Sequence, residues 1–274
     1  MINASDKPLI MGILNVTPDS FSDGGYFNSI NSALVHVEKM LTDGADIIDI
    51  GGESTRPYSI SVSSGEQVQR VIPIIKAIRS HLSTTVPISI DTRMSSVAKM
   101  ALAEGANIIN DISAGQNDPN ILKVAADYDC PIILMHMKGT PQNMQNNPSY
   151  DNVVNDVFSR LRNSAEIAKN AGIKEDRIIL DPGIGFGKTN AHDLTLLGQL
   201  NEFVKIGYPI LLGASRKSFL NSITITDNPE ALVVATSVTT ALAVMAGVKI
   251  IRVHDVKENR HALDVAWAIK QHNY

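Results

Sequence analysis

The sequence predicts a (β/α)8 barrel. Three observations carry that expectation: eight short apolar runs, helical patterns between them, and polar residues at the end of every run. The runs are near-continuously apolar rather than alternating, as parallel strands covered on both faces should be. A length of 274 residues is ordinary for one such barrel. A doubly wound open sheet shares the strand–helix alternation and is the competing architecture.

The elements follow in order. Strand 1 is LIMGILNV (9–16), and the loop TPDSFSDGG after it carries acid and an aromatic together. The pattern SINSALVHVEKMLTDGA has apolar residues at helical spacing and ends at Gly44. Strand 2, ADIIDIGG (45–52), leads through GESTRP to a helix over SSGEQVQRVIPIIKAIRSHL with a cap-like Ser64. Strand 3, PISIDT (87–92), precedes the helix SSVAKMALAEGA, which stops at Gly105. Strands 4 and 5 are NIINDI (107–112) and PIILMHM (131–137). YDNVVNDVFSRLRNSAEIAKNAG then reads as a helix capped at Asp151 and stopped at Gly172. Strand 6, RIILDPG (177–183), is followed by one helix over DLTLLGQLNEFVKIG, and strand 7 is PILLGAS (209–215). The uncharged segment 231–247 is short for a membrane span and holds Ser and Thr, so it reads as a helix buried on most sides. Strand 8, KIIRVHD (249–255), and the helix KENRHALDVAWAIKQHNY close the chain. No low-complexity linker interrupts it, and a single domain over 1–274 is expected.

Bulk composition excludes some functions. The net charge is −4 and Lys and Arg are dispersed, so there is no basic field for a nucleic-acid backbone. The single cysteine, Cys130, allows no internal disulfide and suits a reducing, cytoplasmic compartment. It stands beside an apolar run and reads as a buried structural thiol. The N-terminus has no basic region of the kind that opens a signal peptide.

In a barrel of this type the active site forms where strands end, so the polar strand ends should converge. They are Asn15; Asp49 with Glu53, Thr55 and Arg56; Asp91; Asn110 and Asp111; His136; Asp181; Ser215, Arg216 and Lys217; and Arg252, His254 and Asp255. Asp91, Asn110, Asp181 and Lys217 offer acceptors, one amide and a donor, which suit the edge of a flat, nitrogen-rich heterocycle. Pairing of the Asp residues with Lys and Arg inside the barrel mouth is the alternative for each one. Arg56, Arg252 and His254 read as cations beside Asn15 on strands 1, 2 and 8, which become neighbours on closure. They suit a phosphate or diphosphate, with Asn15 a neutral ligand for a Mg²⁺ carried by it. GIGFGKT (183–189) lacks the full phosphate-loop pattern because position 182 is Pro, and reads as a flexible loop under the ligand. SRKS (215–218) offers Ser218 and backbone N–H groups to a carboxylate if a helix starts there.

These motifs together resemble the dihydropteroate synthase family along nearly the whole chain. The segments are GILNVTPDSFSDGG, DIGGESTRP, ISIDT, INDISAG, MHMKGTPQNMQ, DPGIGFGK, GASRKSF and IRVHDV, in the family's order. The resemblance implies a pterin-binding barrel that joins 6-hydroxymethyl-7,8-dihydropterin diphosphate to 4-aminobenzoate, through an SN1-like cation. It implies Asp91, Asn110, Asp181 and Lys217 on the pterin, and Arg252, His254 and Asn15 on the diphosphate, with Mg²⁺ on Asn15. Thr55 and Arg56 would close over the reacting centre and Asp23 would stabilise its positive charge. Ser218 would meet the aminobenzoate carboxylate, with Phe21 and Pro57 walling its ring. Where the family has Gly after STRP this chain has Tyr58, and ITITDNPEALVVATS lacks the family's charged-plus-Gly pattern. A pterin-binding methyltransferase and an inert pterin-binding barrel are the competing functions; neither needs a diphosphate clamp. A homodimer is expected, because the segment 231–247 has two apolar faces to cover.

Overall fold

The computed structural model describes residues 7–17, 25–82, 85–224 and 228–272. The described residues form eight parallel strands: β1 (Leu9–Asn15), β2 (Ile47–Gly51), β3 (Ile88–Asp91), β4 (Ile108–Asp111), β5 (Ile132–Met135), β6 (Ile178–Asp181), β7 (Leu211–Leu212) and β8 (Ile250–Val253). The helices between and after them are α1 (Gly25–Thr42), α2 (Ser64–His81), α3 (Ser95–Ala103), α4 (Asn120–Asp127) and α5 (Val153–Asn170). Then follow α6 (Asn190–Gly198), α7 (Leu200–Val204), α8 (Ser218–Thr224), α9 (Pro229–Ala246) and α10 (Val256–His272). The strand order is β6-β5-β4-β3-β2-β1-β8-β7. A bridge between Leu180 and Ile210 joins the two outer strands, with Leu180 N donating to Pro209 O at 3.0 Å, so the sheet closes on itself. The closed barrel, rather than the open sheet, is the architecture.

Each strand uses its two faces differently, because side chains alternate with period two. Ile10 and Leu14, Ile48 and Ile50, Ile88 and Ile90, and Ile178 and Leu180 belong to the main core that includes the helices. The other face points into the barrel. There Met11, Ile47, Ile108, Ile133, Ile179, Leu211 and Ile250 form a separate buried cluster, one residue from each of seven strands. Two residues further along the same face stand Asp49, Asn110, Met135, Asp181 and Arg252, with Asp91 on β3. The interior therefore changes from an apolar plug to a polar floor within one side-chain repeat.

The N-terminal end of the barrel is stapled by arginines. Arg79 of α2 donates through Nε to Gly105 O at 3.0 Å and through Nη1 to Val86 O at 2.7 Å. Arg260 of α10 donates to Gly44 O at 3.0 Å and pairs with Asp46, whose carboxylate accepts from Ile10 N at 2.7 Å. Gly44 and Gly105 sit at φ +99° and +106° there, which is why helices 1 and 3 end where the sequence places glycine.

Some elements differ from the sequence expectation. The cap of α2 is Ser63, whose side chain accepts from Glu66 N, and that of α5 is Asn152 rather than Asp151. The stretch expected as one helix after β6 is two, α6 and α7, separated at Gln199. The helix α4 has no strong start or stop signal and too few residues to display several turns of periodicity. Strand 7 is only two residues long, with Pro209 shortly before it and Gly213 directly after it. Cys130 is buried, and burial pushes its thiol up to about 11.

Candidate active site

The polar floor centres on Arg252. Its Nε donates to Asp49 Oδ2 at 2.7 Å and its Nη2 to Asp91 Oδ2 at 2.7 Å. Asn110 Nδ2 donates to the same Asp49 oxygen at 3.1 Å. Register explains the meeting: Gly51 lies opposite Asp91 and Asp91 opposite Asn110, while β8 lies on the other side of β1. Asp49 is wholly buried, and its Oδ1 has no protein partner among the described residues. Burial pushes Asp91 up to about 7, with the Arg252 guanidinium pulling the other way and Asp49 adding repulsion. A carboxylate held so high is poised to gain from new N–H donors.

Asp181 stands at the end of β6 and accepts from Gly183 N at 2.7 Å. Burial raises it to about 6, against the pull of Lys217 and Lys188. Lys217 lies with its Nζ 4.1 Å from the centroid of the Phe186 ring, and burial lowers it to about 8. Phe186 belongs to a small apolar cluster with Ile112, Met135 and Met144, against which Met137 packs. A slot with carboxylates and an amide at its base and an apolar wall suits a flat heteroaromatic ring better than a sugar or a peptide.

The glycine-rich segment after β6 is not the flexible loop that its composition suggests. Gly185 N donates to Asp193 Oδ1 at 2.7 Å, and Gly185 O accepts from Gln145 Nε2 at 2.9 Å. Gly187 O accepts from the Tyr150 hydroxyl at 2.7 Å. The glycines serve close approach: a Cβ on Gly183 would lie 2.0 Å from His136 O, and one on Gly187 2.3 Å from Lys138 O. Lys188 is buried inside this loop, against His136. Burial and the Lys188 charge lower His136 to about 2, so its ring is neutral.

The remaining expected residues lie around the rim. Asn15 ends β1, half-buried, opposite Gly51. Thr55 is half-buried, and Arg56 and Pro57 are exposed on the loop after β2. The base of that loop is held by Glu53, which accepts from Arg93 at 2.8 Å and from Val62 N at 2.9 Å. Its tip leans on the loop after β5, with Tyr58 N donating to Pro141 O at 2.9 Å. Tyr58 has φ 64°, the left-handed region where Gly is at ease, which accounts physically for a Gly in the family pattern. Ser218 is exposed as the first residue of α8. Asp23 and Phe21 lie outside the described residues.

One expectation about charge is corrected. His254 is not a cation: burial and the neighbouring Arg252 lower it to about 3, and its Nδ1 is hydrogen-bonded to Ser215 Oγ at 3.0 Å. Arg252 gives Nε and Nη2 to Asp49 and Asp91, and its side chain is partly exposed. Asp111, a strand-end acid, faces away from the floor and organises the next turn, accepting from Ser113 N and Gly115 N. Lys188, Phe186 and the role of Asp49 as counter-ion escaped sequence reasoning. The only signal for the first two is their place in GIGFGKT; that for Asp49 is its phase with Ile47.

A barrel carrying this floor at the C-terminal end of its strands defines a class of heterocycle-binding enzyme. The model of the family described as "Pterin binding enzyme" matches residues 11–254, and the chain belongs to this family. Its relatives carry a more particular name. Dihydropteroate synthase of Synechocystis is 46% identical over 96% of this chain and 90% of that protein. Dihydropteroate synthase of Xanthomonas albilineans with 4-aminobenzoic acid superposes with a TM-score of 0.90 at 40% identity, covering 97% of this chain and 94% of the other. The same enzyme in complex with 7,8-dihydropteroate gives a TM-score of 0.87 at 37% identity, covering 98% and 95%.

The floor makes a definite energetic prediction. Arg252→Met leaves Asp49 and Asp91 buried without their cation, a loss of about 3–5 kcal/mol. Thermal unfolding at neutral pH should show the drop, and it should shrink at acid pH as Asp91 takes a proton. An unchanged midpoint would contradict the role assigned to the pair.

Proposed function

We infer that the chain catalyses the dihydropteroate synthase reaction. It condenses 6-hydroxymethyl-7,8-dihydropterin diphosphate with 4-aminobenzoate to 7,8-dihydropteroate and diphosphate. The observation that carries this reading is the floor of Asp91, Asn110 and Asp181 with Lys217 above an apolar plug, in a chain of this family. The carboxylates of Asp91 and Asp181 accept the pterin's ring N–H and amino groups, Asn110 pairs with its remaining edge, and Lys217 donates to its carbonyl or ring nitrogen. In this reading the flat ring lies between the Met135 and Phe186 side chains and the Arg252 guanidinium.

The chemistry needs ionisation rather than a nucleophilic side chain. The bond between the pterin methylene and the diphosphate oxygen breaks, and its electron pair leaves with the diphosphate. The amine of 4-aminobenzoate then donates its lone pair to the methylene carbon and loses a proton. The chain's contribution is orientation and charge: Asn15 and the neutral His254 hold the diphosphate by hydrogen bonds, with Arg252 beneath supplying positive field. Among the described residues no cluster of three or more His, Cys, Asp or Glu could hold a metal ion. The single neutral oxygen of Asn15 fits Mg²⁺ that arrives on the diphosphate and keeps its phosphate and water ligands. Such Mg²⁺ would neutralise charge on the leaving group. Thr55 and Arg56 close the mouth from the second loop, Ser218 meets the aminobenzoate carboxylate, and Pro57 and Phe21 flank its ring. Asp23 stabilises the transient cation.

A homodimer belongs to the same proposal. Val234, Val238, Leu242 and Met245 lie on one face of α9 and are all exposed, Val234 at 67%. The opposite face buries Thr236, Thr240, Ala243 and Val244 on the barrel. Val265 and Ile269 of α10 are exposed as well, so the apolar surface extends beyond one helix. A cytoplasmic location accords with the one buried cysteine and with the absence, among the described residues, of a helix long and apolar enough to cross a membrane.

Diphosphate release tests the reaction. It should require the pterin diphosphate, Mg²⁺ and 4-aminobenzoate together; release independent of the amine would overturn the reading. Because the Asp181 carboxylate is raised to about 6, kcat/KM for the pterin substrate should fall as pH drops through that value. A profile flat to pH about 5 would contradict the role of Asp181. Sedimentation at micromolar concentration should give twice the chain mass, and Val238→Glu should give the monomer. Only monomer for the unaltered chain would exclude the dimer.

A further inference from the structure

Among the described residues, Lys188 is a heavily engaged buried charge outside the groups assigned to substrate. Its Nζ lies 2.8 Å from Gly183 O, 3.1 Å from Phe186 O and 3.0 Å from His136 Nδ1. Gly183 O and Phe186 O accept from it, and with the neutral His136 ring protonated on Nε2 its Nδ1 accepts as well, which together use all three N–H groups of an ammonium. The side chain is 2% exposed, so nothing in solvent substitutes for these partners. An ammonium ringed by the carbonyls of its own loop acts as a built-in cation around which that loop is wound.

The loop so wound touches both sides of the pterin slot. Gly183, whose carbonyl accepts from Lys188, gives its N–H to Asp181 Oδ1 at 2.7 Å. Phe186, whose carbonyl also accepts from Lys188, carries the ring under Lys217. From α6, Asp193 holds Gly185 N and supplies the counter-charge to Lys188. We propose that Lys188 is a positioning residue for the pterin, holding Asp181 and Phe186 in their binding geometry through the Gly183–Gly187 loop. This rests on the reaction inferred above and adds a residue to it.

The charge of Lys188 has a second effect. Asp181 faces Lys188, Lys217 from the loop after β7 and Arg252 from β8, and all three favour its ionised form. Burial lowers Lys188 to about 7; Asp193 and Asp181, which favour its charged form, act against that, and Lys217 opposes them. Removing the ammonium therefore raises the pH at which Asp181 becomes an acceptor. A side chain that only filled space would not move that limb.

The experiment compares wild type with Lys188→Met, which keeps the aliphatic stem and loses the donors and charge. Steady-state kinetics from acid to alkaline pH separate KM for the pterin diphosphate, KM for 4-aminobenzoate and kcat. The expected result is a rise of about tenfold in the pterin KM. The aminobenzoate KM should change much less, and the acidic limb of kcat/KM for the pterin should shift to higher pH. An unchanged pterin KM, or a uniform loss with an unmoved limb, would overturn the proposal. Asp193→Asn keeps an acceptor for Gly185 N but removes the counter-charge, and serves if Lys188→Met does not fold. It should bring the alkaline limb of the pterin kcat/KM to lower pH; an unmoved limb would equally overturn the proposal. Wild-type protein that releases no diphosphate would instead overturn the reaction and this inference with it.

Discussion

A guanidinium at the centre of a barrel must be compensated within the barrel, and Asp49 and Asp91 do this for Arg252. The rest of the site follows from that triad. Asp49 is fully buried, and its second oxygen has no partner among the described residues. Its first oxygen, shared by Arg252 Nε and Asn110 Nδ2, makes it the anchor for the cation. Asp91 keeps its other oxygen for what enters from above, and Asn110 is oriented by its bond to Asp49. The floor is thus preorganised before any substrate arrives, which is where much of an enzyme's electrostatic advantage lies.

This arrangement works against folding. Asp91 and Asp181 are raised from their ordinary value, so the folded chain binds protons more tightly than the unfolded one between that value and about 6 to 7. On their account stability falls as pH rises through that window. The compensation lies below, where an apolar plug from seven strands and the arginine staples at Gly44 and Gly105 close the other end. The two ends divide the labour expected of such a barrel, with chemistry above and stability beneath.

The barrel was legible because its signal is repeated. Eight apolar runs with helical segments between them leave few architectures, and the inward phase of Asp91, Asn110, Asp181 and Arg252 follows from period two. What escaped was of two kinds. Short elements such as α4 carry too few turns for a periodicity, and the break at Gln199 divides a pattern that reads as continuous. Partnerships across the fold are invisible in one dimension: nothing near Lys188 in the chain reveals that its ammonium meets His136, 52 positions away. The charge of His254 was misjudged for the same reason, since burial decides it and burial is a property of the closed barrel.

The central claim is that buried carboxylates of the floor await donors, partly protonated while empty and ionised under the pterin. Calorimetry of pterin binding at pH about 6.5, repeated in buffers of different ionisation enthalpy, counts the protons exchanged. The account predicts net proton release on binding, diminishing at higher pH and lost in Asp181→Asn with Asp91→Asn. No exchange, or net uptake, would contradict it.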